Sequence, residues 1–393
     1  MRSLASRSIA LTLAVLPLAC GDSSGGVETG ETGDTGTETA GEDEIGTTTD
    51  DESGESSADE SSTEETSVDA GEESSTEETS ADVGDEDTTD SETDTGEDTG
   101  EEDEVLTFIA MGDAGEGNEE QYLVADIVEQ VCADKGGCAF VLYLGDNFYD
   151  DGVESVDDDQ FQAKFELPYA DLDMPFHIVL GNHDYGELSF LWEKSAYEIE
   201  YSDYSDKWSL PSEWYGFTGA HTDFFVFDTT RFMWNHDTSE QQNWIDDAIG
   251  GSTATWKIAA GHHPYYSNGA HGNAGSYEGV PSWIEQVSGT VVKEVMDDSM
   301  CGKVDLYLSG HDHNRQWVTP TCAGGGGDRT THFIVSGAGC KTTDFEYHDG
   351  GNDVYWEDDT TPGFTLLQVS ADTIHTEIYD LEGNLNYERD ITK

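Results

Sequence analysis

From Val105 onward the chain alternates short apolar runs with turns rich in Gly, Asp and His, and with amphipathic stretches between them. The runs "VLTFIAMGDAG", "CAFVLYLGDN", "MPFHIVLGNHD", "HTDFFVFDTT", "TWKIAAGHH" and "VDLYLSGHDH" each read as a strand that ends in a polar turn, most of them at a Gly. After the first of them Asn118 can cap a helix, in which Leu123, Ile127 and Val131 recur with helical spacing and Val124 and Val128 widen the apolar stripe. Gln241 to Ile249 and Trp283 to Met296 read as further helices, and the tail from Thr331 alternates mainly with the period of a strand. Strands that are apolar almost throughout belong to sheets covered on both faces, so residues 105–393 predict a layered α/β domain.

The preceding segment follows other rules. Gly21 to Glu104 holds 34 of the chain's 86 Asp and Glu residues, no Lys, Arg or His and no aromatic side chain, and repeats "SSTEETS" at Ser61 and again at Ser74. Such a composition buries too little apolar surface to offset the entropy of ordering, which predicts a disordered acidic linker over residues 21–104. At random-coil scaling it reaches about 50 Å, and like-charge repulsion lengthens that. Loose binding of divalent cations is the other property such a run can have. A net charge of −71 argues against nucleic acid as a partner, because the phosphate backbone is met with Lys and Arg.

Ahead of the linker, "MRSLASRSIALTLAVLPLAC" places Arg2 and Arg7 before an apolar run too short to span a bilayer, which predicts an export signal over residues 1–20. Its ending, Ala19-Cys20, resembles a bacterial lipoprotein signal, with Pro17 at a place where an apolar residue is expected. The expectation is an exported protein, tethered to the membrane only through a lipid on Cys20, or else secreted. If Cys20 is lipidated, Cys132, Cys138, Cys301, Cys322 and Cys340 remain in an oxidising compartment, and an odd number leaves at least one thiol unpaired. Cys132 and Cys138 bracket a helix end and can close a short loop; the remaining pairing is open.

The chemistry-bearing residues gather at the strand ends. Asp113, Asp146, Asn182 with His183, His262 with His263, and His311 with His313 each follow an apolar run and a Gly, and ligands of open α/β sheets collect outside the carboxyl ends of strands. Alone, any one of these is an ordinary turn residue. Together they aim five sets of O and N donors at one crevice. In "GHDH" two His two apart fall on one side of an extended segment.

"GDAG", "GDNFY", "GNHD", "GHHPYYSNGAH" and "GHDHN" resemble, in order, the five blocks of the purple acid phosphatases among the binuclear metallophosphoesterases. The resemblance runs from Val105 to about Thr343 and is to the small, single-domain, tartrate-resistant type. It implies an α/β/β/α sandwich of two mixed sheets flanked by helices. It also implies an acid phosphatase that removes phosphate from small monoesters, with a metal-activated hydroxide attacking phosphorus. Carried over residue by residue, Asp113, Asp146, Tyr149 and His313 hold an Fe(III). Asp146, Asn182, His262 and His311 hold a divalent Fe, Zn or Mn, with Asp146 bridging. Other binuclear phosphoesterases have a His where this chain has Gly115, and Tyr149 replaces that donor. A trivalent ion with a divalent partner exceeds the charge of two carboxylates, a phenolate and a hydroxide by about one unit, which keeps the site attractive to phosphate inside an acidic protein.

The same resemblance assigns His183 and His271 to catalysis, as a phosphate contact or as the acid that protonates the leaving alkoxide, and Asn182, His183 and His271 to substrate binding. His263 is a further candidate for substrate, at a position where the family often has Tyr. Asp184 is expected to orient a metal ligand. His177 reads as a core residue, Tyr265, Tyr266 and Trp283 as packing residues, and Cys340 as a partly buried thiol. Ala114 replaces a common aromatic and suggests a more open pocket floor. Two other functions fit parts of the pattern: a phosphodiesterase on the same metals, and a non-catalytic cation-binding surface protein suggested by "DDGVESVDDDQ". That run lacks the spacing of an EF-hand loop, and an inert head is expected to have lost a ligand.

Overall fold

The computed structural model describes residues 104–322 and 327–393. The export signal and all of the acidic linker except Glu104 lie outside them. Fourteen strands are present among the described residues: β1 (Leu106–Met111), β2 (Val141–Tyr143), β3 (Phe176–Ile178), β4 (Trp208–Ser209), β5 (Tyr215–Gly219), β6 (Thr222–Val226), β7 (Trp256–Ala260), β8 (Leu306–Ser309), β9 (Arg315–Val318), β10 (His332–Ser336), β11 (Val354–Asp358), β12 (Gly363–Val369), β13 (Thr373–Asp380) and β14 (Leu385–Thr392). They form two seven-stranded sheets, ordered β14-β13-β12-β1-β2-β3-β4 and β11-β9-β10-β8-β7-β6-β5. Both sheets are mixed. In the first, β1 to β4 run parallel and β12 joins β1 antiparallel; in the second, β6, β7, β8 and β10 are parallel, β5 and β9 run against them, and β11 pairs antiparallel with β9.

The expected layers are therefore present: two mixed sheets flanked by helices. Every residue of β1, β2, β7 and β8 is buried, which is why these strands read as unbroken apolar runs. The larger core, with Phe108, Leu142, Trp208, Phe224, Trp256, Leu306 and Phe364, joins side chains of both sheets to helix α1 (Glu119–Asp134). A second core forms where helices α2 (Thr238–Gly251) and α3 (Thr290–Ser299) bring Ile245, Val292 and Met296 to Phe225, Tyr307 and Phe333 of the second sheet.

Helix α1 is capped by Asn118, whose side chain accepts from the Gln121 N–H at 3.0 Å. Its buried stripe is Gln121, Val124, Ala125, Val128, Val131 and Cys132, so Leu123, at 40 % exposure, lies outside it. The stripe centres on Val124 and Val128 because buried Gln121 donates to the Lys164 carbonyl at 2.7 Å and turns that edge of the helix inward. The helix expected over Trp283 to Met296 is broken at Gly289, whose φ of 68° ends one short turn before α3 begins. Cys132–Cys138 and Cys301–Cys322 are disulfides, which decides the open pairing, and Cys340 is a buried free thiol.

Candidate metal centre

Three strands of the first sheet and two of the second end at one place. β1 passes through Gly112 to Asp113 at φ 57°, and β2 through Gly145 to Asp146 at φ 53°. His311, after β8, has φ 69°. Left-handed backbone costs an L-residue roughly 1–2 kcal/mol, and here hydrogen bonds hold it. The Asp113 N–H donates to the Gly145 carbonyl at 2.9 Å, and the His311 N–H to Asp113 Oδ2 at 2.8 Å. The turns are thereby fastened to one another across the two sheets.

The seven residues read as ligands form two donor groups that share Asp146. In the first, Tyr149 Oη lies 3.0 Å from Asp113 Oδ1, 3.1 Å from Asp146 Oδ2 and 3.1 Å from His313 Nε2. In the second, His262 Nε2 lies 3.3 Å from Asp146 Oδ1, 3.1 Å from Asn182 Oδ1 and 3.1 Å from His311 Nδ1. Asp146 gives one oxygen to each group. Donors about 2.1 Å from a common ion and at right angles to one another are about 3 Å apart, so both groups have the spacing of one edge of a coordination shell.

Protonation tells the same story. Burial, with neighbouring Asp146, pushes the Asp113 carboxyl up to about 7. Burial opposes a charge on His262, yet Asp146 and Asp113 push its imidazole up to about 10. Without a metal the cluster thus draws protons to neutralise its carboxylates, and a cation does this in their place. Burial and then Lys341 push His313 down to about 3, and burial with the other histidines pushes His311 well below the usual range, so both are neutral rings able to ligate. His262 Nδ1 is 2.9 Å from the Leu144 carbonyl, which can only accept, so Nδ1 keeps a proton and Nε2 is the nitrogen that can ligate once a cation takes the place of its proton. The residues fit two metal ions.

Two glycines bear no side chain because none fits beside Asp146 and the turn that follows it. A Cβ on Gly115 would stand 2.2 Å from the Asn147 carbonyl oxygen, so no side chain fits there while the turn after β2 keeps its place. That turn is pinned to Gly115 by the Tyr149 N–H, which donates to the Gly115 carbonyl at 3.1 Å. A Cβ on Gly181 would likewise meet Asp146 Oδ1 at 2.2 Å.

Around the centre, His183 donates its backbone N–H to Asp146 Oδ1 at 3.0 Å, and its ring lies 4.5 Å from that of Tyr149. His271 packs on the His311 ring at 3.8 Å, with Nδ1 2.9 Å from Asp312 Oδ1. Burial pulls the His271 imidazole down, but the hydrogen bond and charge of Asp312 win and raise it. His263 is buried 4.4 Å from the His311 ring. Thr229 Oγ1 accepts the His263 N–H at 2.9 Å and lies 2.9 Å from Nδ1, which holds the ring in place. Asp312 and Thr229 were not singled out by the sequence. Asp312 stood in view between two histidines; Thr229 had no signal, because it acts only through His263.

Asp184 differs from expectation in what it holds. It accepts from the N–H groups of Asn147, Phe148 and Gly181 at 2.8, 3.2 and 2.7 Å, so it fixes the two turns that carry Asp146 and Asn182 and touches no ligand side chain. Ala114 is completely buried and opens no pocket floor. Cys340 is fully buried, with its thiol on the Asp113 carbonyl at 3.0 Å, and burial pushes it well above the usual thiol range. His177 stacks on Phe217 at 3.7 Å, and Trp283 is 78 % exposed.

The family model described as calcineurin-like phosphoesterase matches residues 106–315, the span from β1 to the start of β9. The chain belongs to that family. Among curated proteins it is 29 % identical over 322 residues to purple acid phosphatase 7 of Arabidopsis thaliana, covering 73 % of this chain and 86 % of that one. It is 28 % identical over 269 residues to tartrate-resistant acid phosphatase type 5 of Sus scrofa, covering 60 % and 70 %. Among solved structures it shares the fold of a purple acid phosphatase from yellow lupin seeds (TM-score 0.56, 16 % identity, 74 % of this chain and 54 % of that one). It also shares the fold of GAP50, described as the anchor in the inner membrane complex of Plasmodium (TM-score 0.56, 23 % identity, 73 % and 89 %). This calcineurin-like phosphoesterase is a metallophosphatase by these relationships, and its five motifs supply the two donor groups. No helix among its described residues is long and apolar enough to cross a membrane.

Proposed function

We propose that the protein is an exported acid phosphatase that hydrolyses small phosphate monoesters at an Fe(III)–M(II) pair, with M being Fe, Zn or Mn. The observation that carries this reading is the pair of donor groups sharing Asp146, one of which contains a phenol. A phenolate is a hard anionic donor and favours a trivalent ion, and imidazoles suit a divalent first-row metal. Such a pair, when bound, supplies Lewis acidity toward the phosphoryl oxygens and lowers the pKa of a water. Asp113, Tyr149 and His313 hold the first ion, and Asn182, His262 and His311 the second. The rings of His183, His263 and His271 line the approach of the phosphate. The decisive experiment is metal analysis and a visible spectrum of the purified protein, followed by a comparison of monoester and diester substrates. Two ions per chain with a phenolate charge-transfer band and faster monoester turnover support the proposal; a colourless zinc pair with a diester preference would sink it.

His271 stacks on His311, and Asp312 raises its pKa as a proton donor requires. His271→Ala should keep both metals and lower kcat/KM by about one to three powers of ten, most for esters with poor leaving groups. Equal loss across leaving groups would leave it a phosphate contact only. The acid must be protonated, so activity falls as pH rises through its pKa, and Asp312 holds that pKa up. Asp312→Asn should therefore move the alkaline limb of the kcat profile to lower pH, by about one unit. An unmoved limb would assign the limb to another group.

Every proposed ligand follows residue 104. A chain beginning at Val105 should fold, bind two metals and hydrolyse an aryl phosphate as fast as the whole chain. Soluble, metal-loaded but inactive protein would give the acidic segment a part in the reaction.

A further inference from the structure

One cation stands over the proposed iron ligand. Lys341 Nζ lies 3.3 Å from the centroid of the Tyr149 ring, closer than any other cation lies to an aromatic ring among the described residues. It is held there from several sides. Glu116 Oε1 accepts from Nζ at 2.5 Å. The adjoining backbone is tied to the turn after β1, through the Gly339 N–H to the Gly112 carbonyl at 3.0 Å and the Cys340 thiol to the Asp113 carbonyl at 3.0 Å. Asn118 Nδ2 adds a bond to the Cys340 carbonyl at 2.9 Å. The chain has 15 Lys and Arg against 86 Asp and Glu, so a lysine buttressed over this one ring is a specific arrangement.

We propose that Lys341 is a positioning residue that tunes Tyr149 as a metal ligand by placing a positive charge on the face of its ring. The proposal rests on the reading of Tyr149 as a donor to iron. A cation over an aromatic face is attracted by the ring's π electrons and lowers their energy. Charge transfer from phenolate to ferric iron starts from those electrons, so lowering them raises the transition energy and shifts the absorption to shorter wavelength. The phenol oxygen lies beyond the ring edge, so the charge acts more on the ring than on whatever the oxygen binds. Less electron donation to the ion also favours its reduced form.

Lys341→Met keeps the length and apolar stem and removes the charge; Lys341→Arg keeps the charge. In the metal-loaded full chain, Lys341→Met should move the visible maximum to longer wavelength by about 10–20 nm, the size set by a cation–π interaction for mid-visible light. It should also lower the reduction potential of the iron. Lys341→Arg should stay near the wild type. Glu116→Gln, which leaves the amine uncompensated, should give a smaller shift the opposite way. A visible band that is present and unmoved in Lys341→Met overturns the inference, and a raised KM with no spectral change makes Lys341 a substrate contact in its place. Iron-loaded wild-type protein without the band overturns the reading of Tyr149, and this inference with it.

Discussion

Asp146→Asn should remove most of the activity, lowering kcat/KM by about three powers of ten or more, together with tight binding of at least one metal. This carboxylate gives an oxygen to each donor group, Oδ2 to the Tyr149 side and Oδ1 to the His262 side. An amide keeps one oxygen of similar shape but loses the anion and turns the other atom into a donor. Asp113 cannot take over the bridge, since it is directed to Tyr149 and the His311 N–H. The fold should survive, because the amide oxygen can still accept from the His183 N–H at the position of Oδ1. Metal content by elemental analysis, with thermal unfolding of the metal-free protein as control, checks both halves. Full retention of two metals would mean that the ions do not share Asp146.

The fold is shared both with a lupin purple acid phosphatase and with a protein described as a membrane-complex anchor, so the layers alone do not decide between enzyme and scaffold. The donor groups bear on that choice. A scaffold has no use for buried carboxylates, imidazoles and a phenol brought within about 3 Å of one another, an arrangement that costs free energy unless a cation is present.

Much of this was legible in the sequence for one reason: a strand buried on both faces is written in apolar residues, and its end is marked by Gly before a polar side chain. β1, β2, β3, β7 and β8 are legible that way, and with them six of the seven proposed ligands; Tyr149 is reached only through the family resemblance. β9 was not, because Arg315 and Gln316 are fully buried polar residues. Arg315 satisfies its charge with Asp358 at 2.7 Å and Asn386 at 3.0 Å, partners distant in sequence. The exact face of α1 escaped because a buried Gln counts as polar in any periodicity. Asp184, Thr229 and Lys341 escaped in part or whole for a similar reason. Each acts through a neighbour on another turn, and a linear pattern does not contain that neighbour.

Tyr149→Phe is expected to have the other large effect, and it concerns the spacing of "GDNFY" itself. Had the chain continued as a strand from Asp146, a residue three further on would lie roughly 10 Å away and on the opposite face. The turn brings Tyr149 Oη to 3.1 Å from Asp146 Oδ2, with the Tyr149 N–H held by Gly115, the position where a side-chain donor has no room. Removing the hydroxyl therefore removes the donor that reaches the first ion from the side where Gly115 leaves no room for another. The variant should lose the visible band, bind the first iron more weakly or hold it reduced, and lose about two powers of ten in kcat/KM through the metal. Its fold should remain, since Asp113 keeps the His311 N–H and a lost hydrogen bond of this kind costs about 1 kcal/mol. The measurement is the absorption spectrum of protein loaded with ferric iron and a divalent partner, with metal counts beside it. If the band persists unchanged in Tyr149→Phe, the colour arises from another ligand, the phenol is a wall of the pocket, and the first site must be rebuilt from Asp113, Asp146 and His313 alone.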